Sequence, residues 1–208
     1  MSNLLSDLDL AALLCSRVCH DIVSPVGAIA NGLEMMDEED DEEMRKLALE
    51  LVRRSARQAS AKLQFCRLAF GAAGGAGSML DLGEAGDIAR LFVGDEKVKL
   101  DWLAARGMRD RNEVKLLLNL MLLAIAAVPR GGSVRIEASD GLLSAIAEGD
   151  GARLADKTRA VLDRAVPAAE FDARAVQVYY ALRLAEEARF TLAAEVRPGA
   201  VMFRAVRQ

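Results

Sequence analysis

At 208 residues, 52% apolar and 28% charged, the chain has the balance of a folded globular protein, long enough for one large domain or two small ones, which excludes a disordered or collagen-like polymer. Its formal charge of −4, with seven consecutive acids at 37–43, presents phosphate backbones with no basic field, so nucleic acid is not an expected partner. No run of about 18 uninterrupted apolar residues is present to span a bilayer. The first ten residues lack the basic start of a secretion signal, and a cytoplasmic protein with no membrane partner is expected. Three cysteines and one histidine cannot assemble an ordinary zinc cluster, so Cys15, Cys19 and Cys66 read as reduced structural thiols and no metal site is expected.

In chain order, apolar or small residues recur at Leu8, Ala12, Cys15, Cys19, Ile22, Val26, Ile29, Leu33 and Met36 with spacings that alternate four and three. This heptad seam predicts a helix over 8–36. The acidic run follows as a polar turn, and its second half suits the positive end of a new helix dipole, predicting a second helix from about 40 to about 70. Met44, Leu47, Leu51, Ser55, Ala59, Leu63 and Cys66 form its stripe, with Glu50, Arg53, Arg54 and Arg57 mostly off it. Two such helices make an antiparallel hairpin that buries little by itself. Pairing with a second copy into a four-helix bundle completes it, so a homodimer is predicted.

Residues 71–77, GAAGGAG, hold no side chain able to anchor a core and mark a flexible junction between a domain at 1–72 and one at 78–208. Beyond it, short apolar runs at 98–102, 134–138, 142–147, 191–196 and 201–206 read as strands. Helical patterns at 82–93, 112–128, 152–166 and 172–189 alternate with them, and Arg197-Pro198-Gly199 is a hairpin turn. This half is α/β or α+β.

Chemistry converges on His20, the one histidine. With Cys19 and Ile22 in the seam, the ring stands roughly 130° from the seam's middle and faces solvent. Ser16, Arg17, Val23 and Ser24 lie one turn away, with Gly27 and Asn31 beyond, a surface low in bulk on the C-terminal side. Gly27 and Gly32 each cost a helix about 1 kcal/mol relative to alanine, so each needs a reason: docking of a partner or tight packing in the bundle. A free imidazole titrates near pH 6.5 and is partly neutral in cells, able to attack an acyl phosphate. Asp21 is placed to accept from the other ring nitrogen, although adjacent helical residues diverge by about 100°. An isolated exposed histidine is more often inert, so periodicity alone leaves the role of His20 open.

The segment His20-Asp21-Ile22-Val23-Ser24-Pro25-Val26-Gly27-Ala28-Ile29 resembles the phosphoacceptor box of sensor histidine kinases. Its continuation, Ala30-Asn31-Gly32-Leu33-Glu34, is similar to the ChpT family of bacterial histidine phosphotransferases, dimeric proteins linking a hybrid kinase to response regulators. The resemblance implies that His20 is phosphorylated, that Asp21 is its acidic neighbour, and that Ser24 holds the polar position that places the receiver or a water. Pro25 kinks the helix just after the histidine. Arg17, Val23, Pro25, Gly27 and Asn31 then line the docking surface. A hairpin folded about residues 38–39 brings Arg53, Arg54 and Arg57 opposite His20, to face receiver carboxylates or phosphate, or to serve as a solvated basic face.

Residues 113–133, through Leu117-Leu118-Asn119-Leu120 and Pro129-Arg130-Gly131-Gly132, resemble the asparagine-bearing helix of the kinase ATP-binding domain. The implied fold is α+β: a helical hairpin in a homodimeric four-helix bundle, then a degenerate Bergerat-type ATPase-like α/β sandwich. Leu123 stands where a second asparagine would hold Mg²⁺ and cannot ligate a hard cation. Neither Asp140-Gly141 nor Asp150-Gly151 completes the Asp-x-Gly-x-Gly adenine loop, and residues 152–189 contain no glycine for a phosphate lid. The expected protein therefore carries phosphoryl groups from the receiver of a CckA-like hybrid kinase to CtrA-like and CpdR-like response regulators through His20. It needs no ATP and no cofactor of its own, Mg²⁺ being supplied by the receiver. The alternatives are a divergent ATP-dependent histidine kinase and a non-catalytic dimerisation scaffold.

Overall fold

The computed structural model describes residues 5–38, 40–71, 78–94, 97–167, 170–172 and 175–208, and it opens with two long helices folded against each other. Helix α1 spans Asp7–Glu38 and α2 spans Glu42–Ala69. The turn is set by Asp41, whose carboxylate accepts from the Glu43 N–H at 2.8 Å and caps α2, with Glu42 and Glu43 in the first turn at the positive end of the dipole. Helix α1 runs through Pro25, which is buried.

The helices meet through small residues. A Cβ on Gly32 would stand 2.7 Å from Cγ2 of Val52 and 3.3 Å from the Ala48 carbonyl oxygen, so this glycine is fixed by packing inside the hairpin. A Cβ on Gly27 would meet nothing within 4 Å. The predicted α2 stripe divides: Ser55, Ala59 and Cys66 are buried, whereas Met44, Leu47, Leu51 and Leu63 are exposed, as are Leu8, Val23, Val26 and Leu33 of α1. By length and composition α1 is also apolar enough to cross a bilayer. Its apolarity comes from this seam, interrupted by Arg17 and Asp21.

Residues 72–77 of the predicted junction lie outside the described residues. From Ser78 the chain forms β1 (Met79–Asp81), α3 (Leu82–Val93), β2 (Val98–Trp102), β3 (Met108–Asp110), α4 (Arg111–Ala127), β4 (Gly132–Ser139), β5 (Leu142–Glu148), α5 (Asp156–Leu162), α6 (Ala175–Glu187), β6 (Phe190–Arg197) and β7 (Ala200–Arg207). Five strands make one sheet in the order β2-β4-β5-β7-β6, with β2 and β4 parallel and the other pairs antiparallel. Alternate residues such as Val134, Ile136, Leu143, Ala145, Val201, Phe203 and Ala205 turn inward and are buried, the period-2 pattern of a sheet covered on one face. Helix α4 is buried nearly all round, from Glu113 to Ala124, as a helix enclosed by other elements must be. The fold class is α+β, as the sequence indicated.

Two short strands, β1 and β3, pair Met79 with Asp110 through Asp81 with Met108; three residues are too few to show alternation in the sequence. The helix predicted over 152–166 forms only at Asp156–Leu162. At its start the Arg153 N–H donates to the Ala127 carbonyl at the end of α4 (2.9 Å), which draws the chain away from helical pairing. At its end Arg164 takes φ 56° and the Ala165 N–H reaches the Ala160 carbonyl at 2.8 Å, a left-handed helix stop. The turn of the last hairpin is Pro198-Gly199, with Gly199 at φ 72° where only glycine is at ease.

The end of α2 is built into the second half. Phe65 and Ala69 are fully buried in the same core as α4 and the sheet, and the Phe65 ring stacks on Phe92 of α3 at 4.1 Å between centroids. The Ala69 carbonyl, left without a helical partner at the C-terminus of α2, accepts from Asn119 Nδ2 at 3.2 Å; the same amide donates to the Lys115 carbonyl at 2.7 Å. Asn119 Oδ1 accepts from Gln177 Nε2 of α6. Asn119 thus ties α2, α4 and α6 together. Asn119→Ala strands the Ala69 carbonyl and the Gln177 amide; at about 1–3 kcal/mol for each buried group, urea unfolding is expected to show a loss of about 2–6 kcal/mol.

Candidate functional site

His20 projects from α1 with 86% of its side chain exposed. Its Nδ1 lies 3.3 Å from Oδ1 of Asp21. The carboxylate only accepts, so this contact is a hydrogen bond in the tautomer that carries the hydrogen on Nδ1, and in that tautomer Nε2 faces solvent. The other carboxylate oxygen, Oδ2, is 3.9 Å from Nε of Arg17 one turn earlier. Arg17 and Asp21 are 22% and 27% exposed. The site is therefore an exposed imidazole with a largely covered Arg17–Asp21 ion pair beside it.

The floor is supplied by α2. Cys66 is buried, and burial pushes its thiol up to about 11, with the Asp21 carboxylate adding to the rise and Arg17 and Lys62 opposing it. Cys66, whose thiol feels Asp21 and Arg17 across the hairpin, is a residue beside the site that the sequence did not reveal, because that nearness depends on the hairpin register.

A folded thiol that titrates above its unfolded value of 9.0 binds more protons in the native state, so its stabilising effect is complete below pH 9 and lost as pH rises to about 11. The urea midpoint is expected to fall across that window, and to fall less in Cys66→Ala.

Residues 82–199 match the histidine phosphotransferase C-terminal domain model. Over 205 residues the chain is 46% identical to protein phosphotransferase ChpT of Brucella abortus (strain 2308), covering 97% of each chain. The chain belongs to the histidine phosphotransferase family. A solved bacterial phosphotransferase superimposes with a TM-score of 0.86 at 43% identity, over 97% of this chain and 98% of that one. The histidine kinase AdeS of Acinetobacter baumannii matches at 15% identity and a TM-score of 0.46 over 89% of this chain and 95% of its own, too distant to carry an argument.

On the phosphotransferase, Val23, Ser24 and Asn31 are exposed on α1 near His20, with Gly27 half-buried among them and its Cβ position open. Pro25, read from the sequence as a docking residue, is buried; it lies on the flank of α1 turned into the hairpin and is not available to a partner. Arg53, Arg54 and Arg57 are exposed, but they are not opposite His20. Helix α1 ends at Glu38 and α2 begins only at Glu42, so the fold centres near residue 40. With Gly32 against Ala48 and Val52, His20 stands roughly level with residues 60–64, and the three arginines flank α1 one to three turns nearer the hairpin tip.

In the second half, Asn119 spends its amide on Ala69, Lys115 and Gln177, and Leu123 is buried beside it in α4. Asp140-Gly141 is the β4–β5 turn, with Gly141 at φ 77° and Asp140 paired to Arg109 at 2.9 Å. Among the described residues no three of His, Cys, Asp and Glu converge as metal ligands.

Gly27→Ala is expected to raise stability by about 0.5–1 kcal/mol, the helix preference for alanine. Gly32→Ala is expected to fall short of that gain, because its Cβ must displace Val52. Thermal unfolding of the two variants separates the cases.

Proposed function

We propose that this phosphotransferase relays phosphoryl groups between receiver domains through His20, without binding ATP. The carrying observation is the exposed ring whose Nδ1 is engaged by Asp21, leaving Nε2 open. A phosphorylated receiver docks on α1 over Val23, Ser24, Gly27 and Asn31. The Nε2 lone pair attacks phosphorus in line; the N–P bond forms as the acyl-phosphate P–O bond breaks, and the receiver carboxylate leaves. Positive charge gained by the ring is shared with Asp21. The reverse steps load a second receiver. Mg²⁺ comes with the receiver, and positioning with charge neutralisation supplies the rate.

The commitment of Asn119 to a structural junction and the use of Asp140-Gly141 as a hairpin turn support the absence of nucleotide chemistry. The exposed leucines, valines and methionines along the hairpin support closure with a second copy as a four-helix bundle. Arg54 and Arg57, exposed one to two turns from His20, suit an acidic receiver face. By family likeness the donor is a receiver of a CckA-like hybrid kinase and the acceptors are CtrA-like and CpdR-like regulators, all in the cytoplasm.

Mixing the chain with a radiolabelled phosphorylated receiver and no ATP is expected to label it, and His20→Gln is expected to abolish the label. ATP-dependent labelling without a receiver, or label retained by His20→Gln, overturns the reading. Gly27→Ala, which leaves the fold intact, is expected to slow transfer by obstructing the receiver's approach.

A further inference from the structure

We infer that Arg17 is a positioning residue for His20, acting through Asp21, and not a contact for the incoming receiver. This rests on the phosphoryl-transfer reading and adds to it a residue that sets which ring nitrogen reacts.

One carboxylate is divided between two neighbours. Oδ2 of Asp21 faces Nε of Arg17 at 3.9 Å, and Oδ1 faces Nδ1 of His20 at 3.3 Å. Adjacent helical residues diverge by about 100°, so Asp21 reaches His20 only by turning its carboxylate sideways along the helix surface. A free carboxylate rotates between solvent and ring. The Arg17 cation, 3.9 Å from Oδ2 and beyond hydrogen-bond range, draws that oxygen toward itself by charge and so favours the orientation that keeps Oδ1 on Nδ1. The gradient of exposure agrees: Arg17 and Asp21 are 22% and 27% exposed against 86% for His20. A side chain so covered offers a docking partner little surface.

Helix α2 closes the arrangement from below. The buried Cys66 thiol of α2 responds to Asp21, Arg17 and Lys62 together. An uncharged thiol cannot replace Arg17 as the cation that draws on the carboxylate. A histidine free in water favours the tautomer with hydrogen on Nε2, which would block attack there. Arg17 and Asp21 together hold the hydrogen on Nδ1.

The chain has one histidine, so long-range proton–nitrogen correlation on the uniformly ¹⁵N-labelled full-length protein reads its tautomer with no partner present. Wild type is expected to carry the hydrogen on Nδ1. Arg17→Met is expected to move it toward Nε2 and to lower the maximal transfer rate about tenfold, the scale of lost orienting partners. The receiver concentration at half-saturation should change less than twofold, and Arg17→Lys should recover most of the rate. An unchanged tautomer, or a raised half-saturation concentration at unchanged maximal rate, overturns the inference. Should Arg17→Met fail to fold, Asp21→Ala in a folded chain must show the same tautomer change, and its absence also overturns the inference. Failure of wild type to accept a phosphoryl group would overturn the transfer reading while leaving the tautomer result standing.

Discussion

The molecule depends on how the last turn of α2 is anchored. A helix ends with carbonyls that have no partner, and here Asn119 takes the one at Ala69 while Phe65, one turn earlier, is sealed in the core. Because Asn119 is also bonded to Gln177, a single amide joins the stem to two helices of the second half. The stem is therefore an extension of the core, and the helix that presents His20 is braced by it: Leu10, Leu13 and Leu14 of α1 pack on the same core.

This has a consequence for chemistry. An enzyme that phosphorylates its own histidine from ATP must bring a nucleotide-bearing domain to the ring and withdraw it. A carrier serving external receivers has no such need, and gains from an accessible ring on a rigid support. The asparagine that resembles a kinase metal ligand has here become a structural tie. Both N–H groups of its Nδ2 are spent on the Ala69 and Lys115 carbonyls, and its Oδ1 accepts from Gln177 Nε2.

Around the ring, reactivity and access are handled by separate residues. Nδ1 of His20 faces Asp21, whose other carboxylate oxygen faces Arg17, while Ser24 is exposed and a Cβ at Gly27 would meet nothing. The two helix glycines look alike in sequence, yet Gly32 is fixed by contact with Val52 and Ala48 and Gly27 by nothing among the described residues. Only the second is then left to be explained by what docks from outside.

The sequence by itself determined most of the elements and singled out His20. Periodicity located α1, α2 and α3 and the five strands of the main sheet to within a few residues, because alternation and heptad spacing are local consequences of which face is buried. The exposure of His20 followed from its angle to the seam, and the neighbouring acid from the motif. The tertiary structure alone decided the hairpin register, which rests on capping by Asp41 and the Gly32 contact and so brought Cys66, not the arginines at 53, 54 and 57, close to Arg17 and Asp21. It alone buried Pro25, shortened the helix predicted at 152–166, and turned Asn119 into a tie between helices 50 residues apart in the chain. Local pattern records which face of an element is buried; which partner buries it is settled by contacts between residues far apart in sequence, and those leave no periodic trace.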